Sequence, residues 1–567
     1  MKMNEIRVRM DEWFFTQALV GYKNILDAYG EKVKTTYDGI IVEKQHLEKM
    51  ADAFFSFYLN EYSVAHREER ILRGLHKQFK EGKKGVKTPI NQRLNAQKKS
   101  ANRYFKDTKE GVKLAEFADL YRKQKKYSPE MDEWMNGFIE MLHTDDIDEK
   151  LTSNFFKAVH LTPYFGQTSV LNVTHNRKTL EEQKDIFRND FIDPIIAEWN
   201  LYESLKNNDE EQVEQVFSET DYQPFNAIKR AFRKKTIEEM KEYVQKNIPK
   251  CSLTDFPFGL RNFEEQVFSP LALSLKNARN MSWNANEKEY LPISSLARLL
   301  MFCSQAGATD TQGKSVFVFY GGSFDEIYQT NRSYAHFKSH NKTFDQIVFD
   351  LVREQKTKAD YLNKHYVIYE YESDYQAKKT LLDYMIMTPH VVKLFSDESE
   401  LFNPVYYTIK SDMIRFLLKG IDTKHFISEE LRKKVKDNYP VFDMIRLIQI
   451  RHLNQIFSKG DLNVDSSIEK RRIWALVKSA EKIKYKIGLK KAQGIAYRLL
   501  NAVRSNDKHT FMDTVMRVYI SSDLEMPGLL LEVLHEENMD FATVGNAWIA
   551  GLVSKPNNQK EGEKNHE

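Results

Sequence analysis

The sequence predicts a mostly helical α+β fold: a mixed N-terminal and central region with short strands, followed by a C-terminal helical bundle. Three features predict it. Apolar residues recur at three- and four-residue spacing along most of the chain, the period of helices that bury one face. Two runs break that period, SVFVFYGG (315–322) and HYVIYEYES (365–373); both are rich in β-branched and aromatic residues and read as strands. After about Lys424 no such run occurs.

The length of 567 residues exceeds what one hydrophobic core supports. The expected division is a mostly helical region over 1–250, a central α+β region over 251–424, a bundle over 425–555 and a disordered tail over 556–567. In order, Asp11–Tyr29 reads as a buried helix with Asp11 as its N-cap. A short strand over Tyr37–Val42 and an amphipathic helix over Lys44–Leu59 follow. Residues 77–109 change character: they hold Gly82, Gly85 and Pro89, few large apolar side chains and many cations. That composition reads as a mobile basic loop leading into a polar helix. Residues 114–250 are mostly helical, with a break at LTPYFGQTSVLNVT (161–174). PFG and FSP turns precede a helix over Ser294–Ala306. The bundle is expected from helices over Leu431–Phe457, Glu469–Lys484, Lys490–Arg504, Lys508–Ser521 and Phe541–Val553.

Apolar residues at 41% and charged residues at 29% indicate a folded chain rather than a disordered one. The first residues lack the apolar core of a signal peptide, and the cytoplasm is the expected compartment. No uncharged apolar run reaches the about 18 residues that a membrane span needs, so no membrane partner is expected. Cys251 and Cys303 are the only cysteines. Two thiols supply neither a disulfide framework nor a four-thiolate zinc site. No metal or cofactor is expected.

Net charge is only +4, but its distribution is uneven. Arg73–Lys126 holds 17 Lys and Arg against 5 Asp and Glu; Ser466–Arg504 holds 11 against 2. The rest of the chain is therefore acidic. Cations concentrated in two segments are what contact with a phosphate backbone requires. In the first segment the candidate DNA-binding residues are Lys77, Lys80, Lys83, Lys84, Lys87, Arg93, Lys98, Lys99 and Arg103. In the second they are Arg471, Lys478, Lys482, Lys486, Lys490 and Arg498. Here Ile473, Trp474, Val477 and Ile483 are expected to face the core while Lys478 and Lys482 share the opposite face.

Chemistry-bearing motifs are sparse. P-loop, dinucleotide and HExxH patterns are absent, and Gly321-Gly322-Ser323-Phe324-Asp325 does not match a nucleophile elbow. Asp145-Asp146-Asp148, beside His143, reads as a solvated linker. Glu370, Glu372 and Asp374 alternate on a strand and are expected to face solvent. No catalytic residue is expected.

Several segments in order resemble the large subunit of the type I-B CRISPR surveillance complex (Cascade), the CXXC–CXXC group of CRISPR-associated proteins. They are DEWFFTQALVGYKNIL and YDGIIVEKQHLEKMADAFFSFYL near the start, then YFGQTSVLN and FSPLALSLKNARNMSW. LPISSLARLLMFCSQAGAT with VFVFYGGSFDEIYQTN follows, and the closing block is AYRLLNAVRSNDKHTFMDTVMRVYISSDLEMP with FATVGNAWIAGLV. The chain departs from that family at Cys251-Ser252-Leu253-Thr254, where many relatives carry cysteine pairs. The resemblance implies a non-catalytic role in antiviral defence. The subunit would read the protospacer-adjacent motif, wedge duplex DNA apart and hold the displaced strand in the R-loop. The partners it implies are a guide RNA, target DNA, the other Cascade backbone subunits and a recruited helicase–nuclease. Asn and Gln side chains pair with base edges, which makes Asn91, Asn95, Gln97, Gln167 and Asn172 motif-reading candidates. Two other functions compete: a CRISPR-associated nuclease or guide-RNA-processing enzyme, and a structural scaffold without direct DNA contact.

Overall fold

The computed structural model describes residues 5–165, 169–262, 292–311, 313–339, 346–349, 366–374 and 379–554. The fold is α+β and mostly helical. It divides into two compact units, residues 1–317 with 322–331 and 370–383, and residues 318–321 with 332–369 and 384–567. The division runs through the segment expected to be a central region.

In the first unit, β1 (Glu5–Arg9) pairs antiparallel with β3 (Gly39–Glu43), matching Ile6 to Val42 and Val8 to Ile40; β2 (Thr35–Thr36) pairs along the other edge of β3. Helix α1 (Trp13–Tyr29) is capped by Glu12 rather than Asp11: the Glu12 carboxylate accepts from the Phe14 and Phe15 N–H groups. It crosses the turn at residues 304–307 in backbone contact. A Cβ on Gly21 would lie 2.0 Å from the Cys303 carbonyl oxygen, and one on Gly307 would lie 2.1 Å from that of Gln17. Only glycine permits such an approach. Gln17 donates to Ser304 O and Tyr371 Oη across the same junction.

Helix α2 (Lys44–Glu61) packs Phe54 into a cluster of rings with Phe187 and Phe302, which Phe191 and Phe165 extend. The abundant phenylalanines are in large part core. Helices α3 (Val64–Lys80), α4 (Lys87–Phe105), α5 (Lys109–Lys123), α6 (Glu130–Leu142) and α7 (Asp145–Phe156) surround a second core. Residues 77–109 do hold a loop leading into a polar helix, but the loop is far shorter than the expected 77–109. They comprise the last turn of α3, a six-residue connection at 81–86 and the whole of α4. Ile90, Leu94 and Ala101 are enough to bury one face of α4, and Pro89 falls in its first turn, where no N–H is needed.

A π turn (Lys157–Leu161) follows α7. Then come α8 (Leu180–Phe187), α9 (Asp193–Asn207), α10 (Glu210–Glu219), α11 (Phe225–Phe232) and α12 (Ile237–Asn247). Glu198 on α9 is fully buried and accepts from Tyr222 Oη, Ser295 N and Ser295 Oγ. Burial nevertheless raises its carboxyl to about 7. Strands β4 (Arg261–Asn262) and β5 (Pro292–Ile293) pair, α13 (Ser295–Phe302) follows, and β6 (Thr309–Thr311) forms a hairpin with β7 (Lys314–Phe319). Cys251 and Cys303 are both free and buried, and the Cys251 sulfur accepts from Ser294 N.

The chain passes between units within β7, α14 (Phe324–Ser339), β8 (Tyr366–Asp374) and β9 (Lys379–Met387). The second unit continues through α15 (Pro389–Asp397) and α16 (Tyr407–Leu418) to the bundle of α17 (Lys424–Asp437), α18 (Phe442–Ser458), α19 (Ser466–Ile487), α20 (Leu489–Arg504), α21 (Lys508–Ser522) and α22 (Phe541–Val553). The expected single helix over Leu431–Phe457 is two helices. Asn438 adopts a left-handed conformation, φ 56°, closing α17, and Pro440 prevents continuation. Helix α22 is buried on every side. It meets α19 so closely that a Cβ on Gly551 would lie 2.2 Å from the Val477 carbonyl oxygen.

Candidate nucleic-acid interface

Helix α19 begins where Asp465 accepts from Ser467 N, and it buries Ile473, Leu476, Val477, Ala480 and Ile483. Those positions fix its outward row as Arg471, Lys478, Lys482 and Lys486, all exposed. At a rise of about 1.5 Å per residue the row is about 22 Å long, with its cations about 6 to 10 Å apart. Lys490, near the start of α20, is also exposed. Lys484 turns inward and donates to the Ser554 carbonyl and hydroxyl, and burial lowers its amine.

Lys478 pairs with Glu481 at 2.7 Å. Among the described residues, Arg471, Lys482, Lys486, Lys490 and Arg498 have no carboxylate within ion-pair distance. Arg498 lies on a separate exposed row of α20 with Lys491 and Gly494. Two rings accompany the α19 cations. Tyr485 is 72% exposed. Trp474 is half-buried, not the core residue expected; it packs beside Phe442 with the Lys478 amine 5.9 Å from its ring. Tyr485 was not singled out from the sequence, although its place between Lys482 and Lys486 is the signal that finds it.

The first basic region differs. Lys80 pairs with Asp132 at 2.7 Å, Arg93 with the buried Glu68 at 3.0 Å, and Lys98 with Asp119 at 2.5 Å. Lys87 lies 3.9 Å from the Tyr121 ring centre and donates to the Tyr121 carbonyl; burial lowers its amine to about 8. These four cations hold helices together rather than forming a free charged surface. Their partners lie on other helices, out of reach of a local charge count. Lys77, Lys83, Lys84, Lys99 and Arg103 are exposed and, among the described residues, have no carboxylate partner.

The motif-reading candidates do not converge. Asn91 directs its Oδ1 into the protein interior, Asn95 accepts from Arg122, and Asn172 accepts from Thr174 N at the start of a helical turn. Gln97 is half-buried on α4. Gln167 lies outside the described residues.

The acidic clusters have structural partners. Asp145, Asp146 and Asp148 are in the first turn of α7 rather than a linker. Asp148 accepts from Ser63 Oγ, Ala65 N and Thr152 Oγ1, closing the start of α3. Glu370 is buried, not solvent-facing, and pairs with Lys314. Among the described residues no group of three or more His, Cys, Asp or Glu side chains is placed to hold a metal ion, and no helix is long and apolar enough to cross a membrane. Comparison with protein-family models, curated proteins and solved structures returned no match.

Proposed function

We propose that this chain is a non-catalytic nucleic-acid-binding protein, the large subunit of a type I-B CRISPR surveillance complex. In that role it reads the protospacer-adjacent motif and stabilises the R-loop in antiviral defence. The observation that carries the reading is the α19 row. Arg471, Lys482 and Lys486 are exposed and have no carboxylate partner among the described residues, with Tyr485 and Trp474 beside them. Cations that track phosphates, next to rings on which bases stack, suit a single strand. The ordered sequence blocks point to the particular complex.

The DNA duplex is assigned to the exposed remainder of the first region: Lys77, Lys83, Lys84, Lys99 and Arg103. A purely scaffolding role fits Lys80, Arg93 and Lys98, whose charges are already met within the fold. Guide RNA, the backbone subunits and the helicase–nuclease remain the proposed partners, and the cytoplasm the proposed location.

The test is a salt series. The full chain is titrated with a labelled single-stranded oligothymidine between 50 and 200 mM salt. With Arg471, Lys482, Lys486 and Lys490 each meeting a phosphate, the logarithm of affinity should fall against that of salt with a slope of about −3. Binding that is indifferent to salt contradicts the reading.

A further inference from the structure

A cleft of about 690 Å³ opens in the first unit where the end of α2, the start of α3, the π turn and the β6–β7 hairpin meet. One wall is a run of packed planar groups in which Phe155 meets His160 edge-on and His160 lies tilted against Tyr62. The Arg67 guanidinium lies 3.9 Å from the Phe155 ring centre, Phe155 lies 5.5 Å from His160, and His160 lies 4.0 Å from Tyr62. The π turn carries His160 between the rings of Phe155 and Tyr62; such turns are frequent at functional sites.

Beside the rings stands an unused acceptor. Glu61 is exposed at the cleft and has no hydrogen-bond or ion-pair partner among the described residues. Asp310 is partly committed: its Oδ1 accepts from Gly313 N in the hairpin turn, and its Oδ2 lies 3.9 Å from His160 Nδ1. At the rim Arg70 is exposed, with no carboxylate partner among the described residues.

We propose that this cleft binds a guanine nucleotide, with the base against the Tyr62–His160 wall, its N1–H and N2–H donating to Glu61, and its phosphate on Arg70. Planar rings and a cation favour a nucleobase over an aliphatic ligand. The free carboxylate selects among bases. Guanine offers two adjacent donors that match its two oxygens, whereas adenine and cytosine place a ring acceptor beside their amino group. The volume is within the range of small-molecule sites. The guanine could belong to a free nucleotide or to an unstacked position of a single strand. The assignment is independent of the α19 row.

The test is calorimetric titration of the full chain with GMP, AMP, CMP and UMP. A second arm uses single-stranded hexamers with and without one guanine. GMP, or the guanine-containing strand, should bind at least about tenfold more tightly than its counterparts. Glu61→Gln should abolish that preference, and Arg70→Glu should weaken GMP more than guanosine; both positions are exposed, so both variants should melt as wild type does. Preference shown by GMP assigns the free nucleotide, and preference confined to the strand assigns an unstacked base. Lys482→Glu should leave the preference unchanged, which separates this site from α19. No guanine preference in either arm, or a preference that survives Glu61→Gln, overturns the proposal.

Discussion

Replacing Lys482 and Lys486 together with glutamate is expected to lower affinity for single-stranded DNA by roughly 25-fold or more at 0.1 M salt. Each phosphate contact on a single strand contributes about 0.7 to the salt exponent, so losing two removes about 1.4, and the introduced carboxylates add repulsion. Both lysines are exposed and have no carboxylate partner among the described residues, so the melting temperature should not move. Lys478→Glu should cost less binding, because Glu481 already draws on the Lys478 charge. A contrasting result is expected at Lys98. Its amine serves Asp119, so Lys98→Glu should disturb the helix pair and leave strand binding nearly unaltered. Filter binding with parallel thermal melts distinguishes these outcomes.

The largest stability effect is expected at Arg451. Its side chain is only 4% exposed, yet it binds Asp422 through Nε and Nη2 and Asp540 through Nη1 and Nη2, and Nη1 also reaches Thr543 Oγ1. Asp540 in turn caps α22 through Thr543 N. One guanidinium thus joins α18 to the start of the most buried helix of the bundle. Arg451→Leu leaves two partly buried carboxylates without their cation and should cost about 3–5 kcal/mol, read as a lower denaturation midpoint of the second unit.

The guanidinium holds both carboxyls below the usual carboxylate range. Their contribution to stability is present above the unfolded-state value of about 4 and is lost as pH falls through the depressed folded values. Wild type should therefore lose stability from this cluster only in strong acid. Arg451→Leu should be destabilised already at neutral pH and lose that additional acid sensitivity.

Much of the helical architecture was legible because each helix carries its own apolar period. Phe541–Val553 is an example: its apolar spacing predicts a helix, and a helix spans those residues. The strands at 314–319 and 366–374 were legible from their β-branched and aromatic runs. The extent of the helix within 77–109 is not legible because α4 buries little more than Ile90, Leu94 and Ala101, too few for the period to stand out among its cations. The break at Asn438 is not legible in the sequence because apolar spacing resumes after it.

Local charge density locates the α19 row, since most of its cations meet no carboxylate among the described residues. The same count failed at α4, where Glu68, Asp119 and Asp132 arrive from neighbouring helices. The cleft around Glu61 had no linear signal at all. Tyr62, His160 and Asp310 are brought together only by the fold.

The claim that a single strand lies along the outer row of α19 is tested most directly by ultraviolet cross-linking of bound single-stranded DNA, with adducts mapped by mass spectrometry. Adducts are predicted at Tyr485 and Trp474, and they should disappear in the Lys482→Glu/Lys486→Glu variant. A strand that binds the full chain yet leaves residues 466–490 free of adducts would contradict the account.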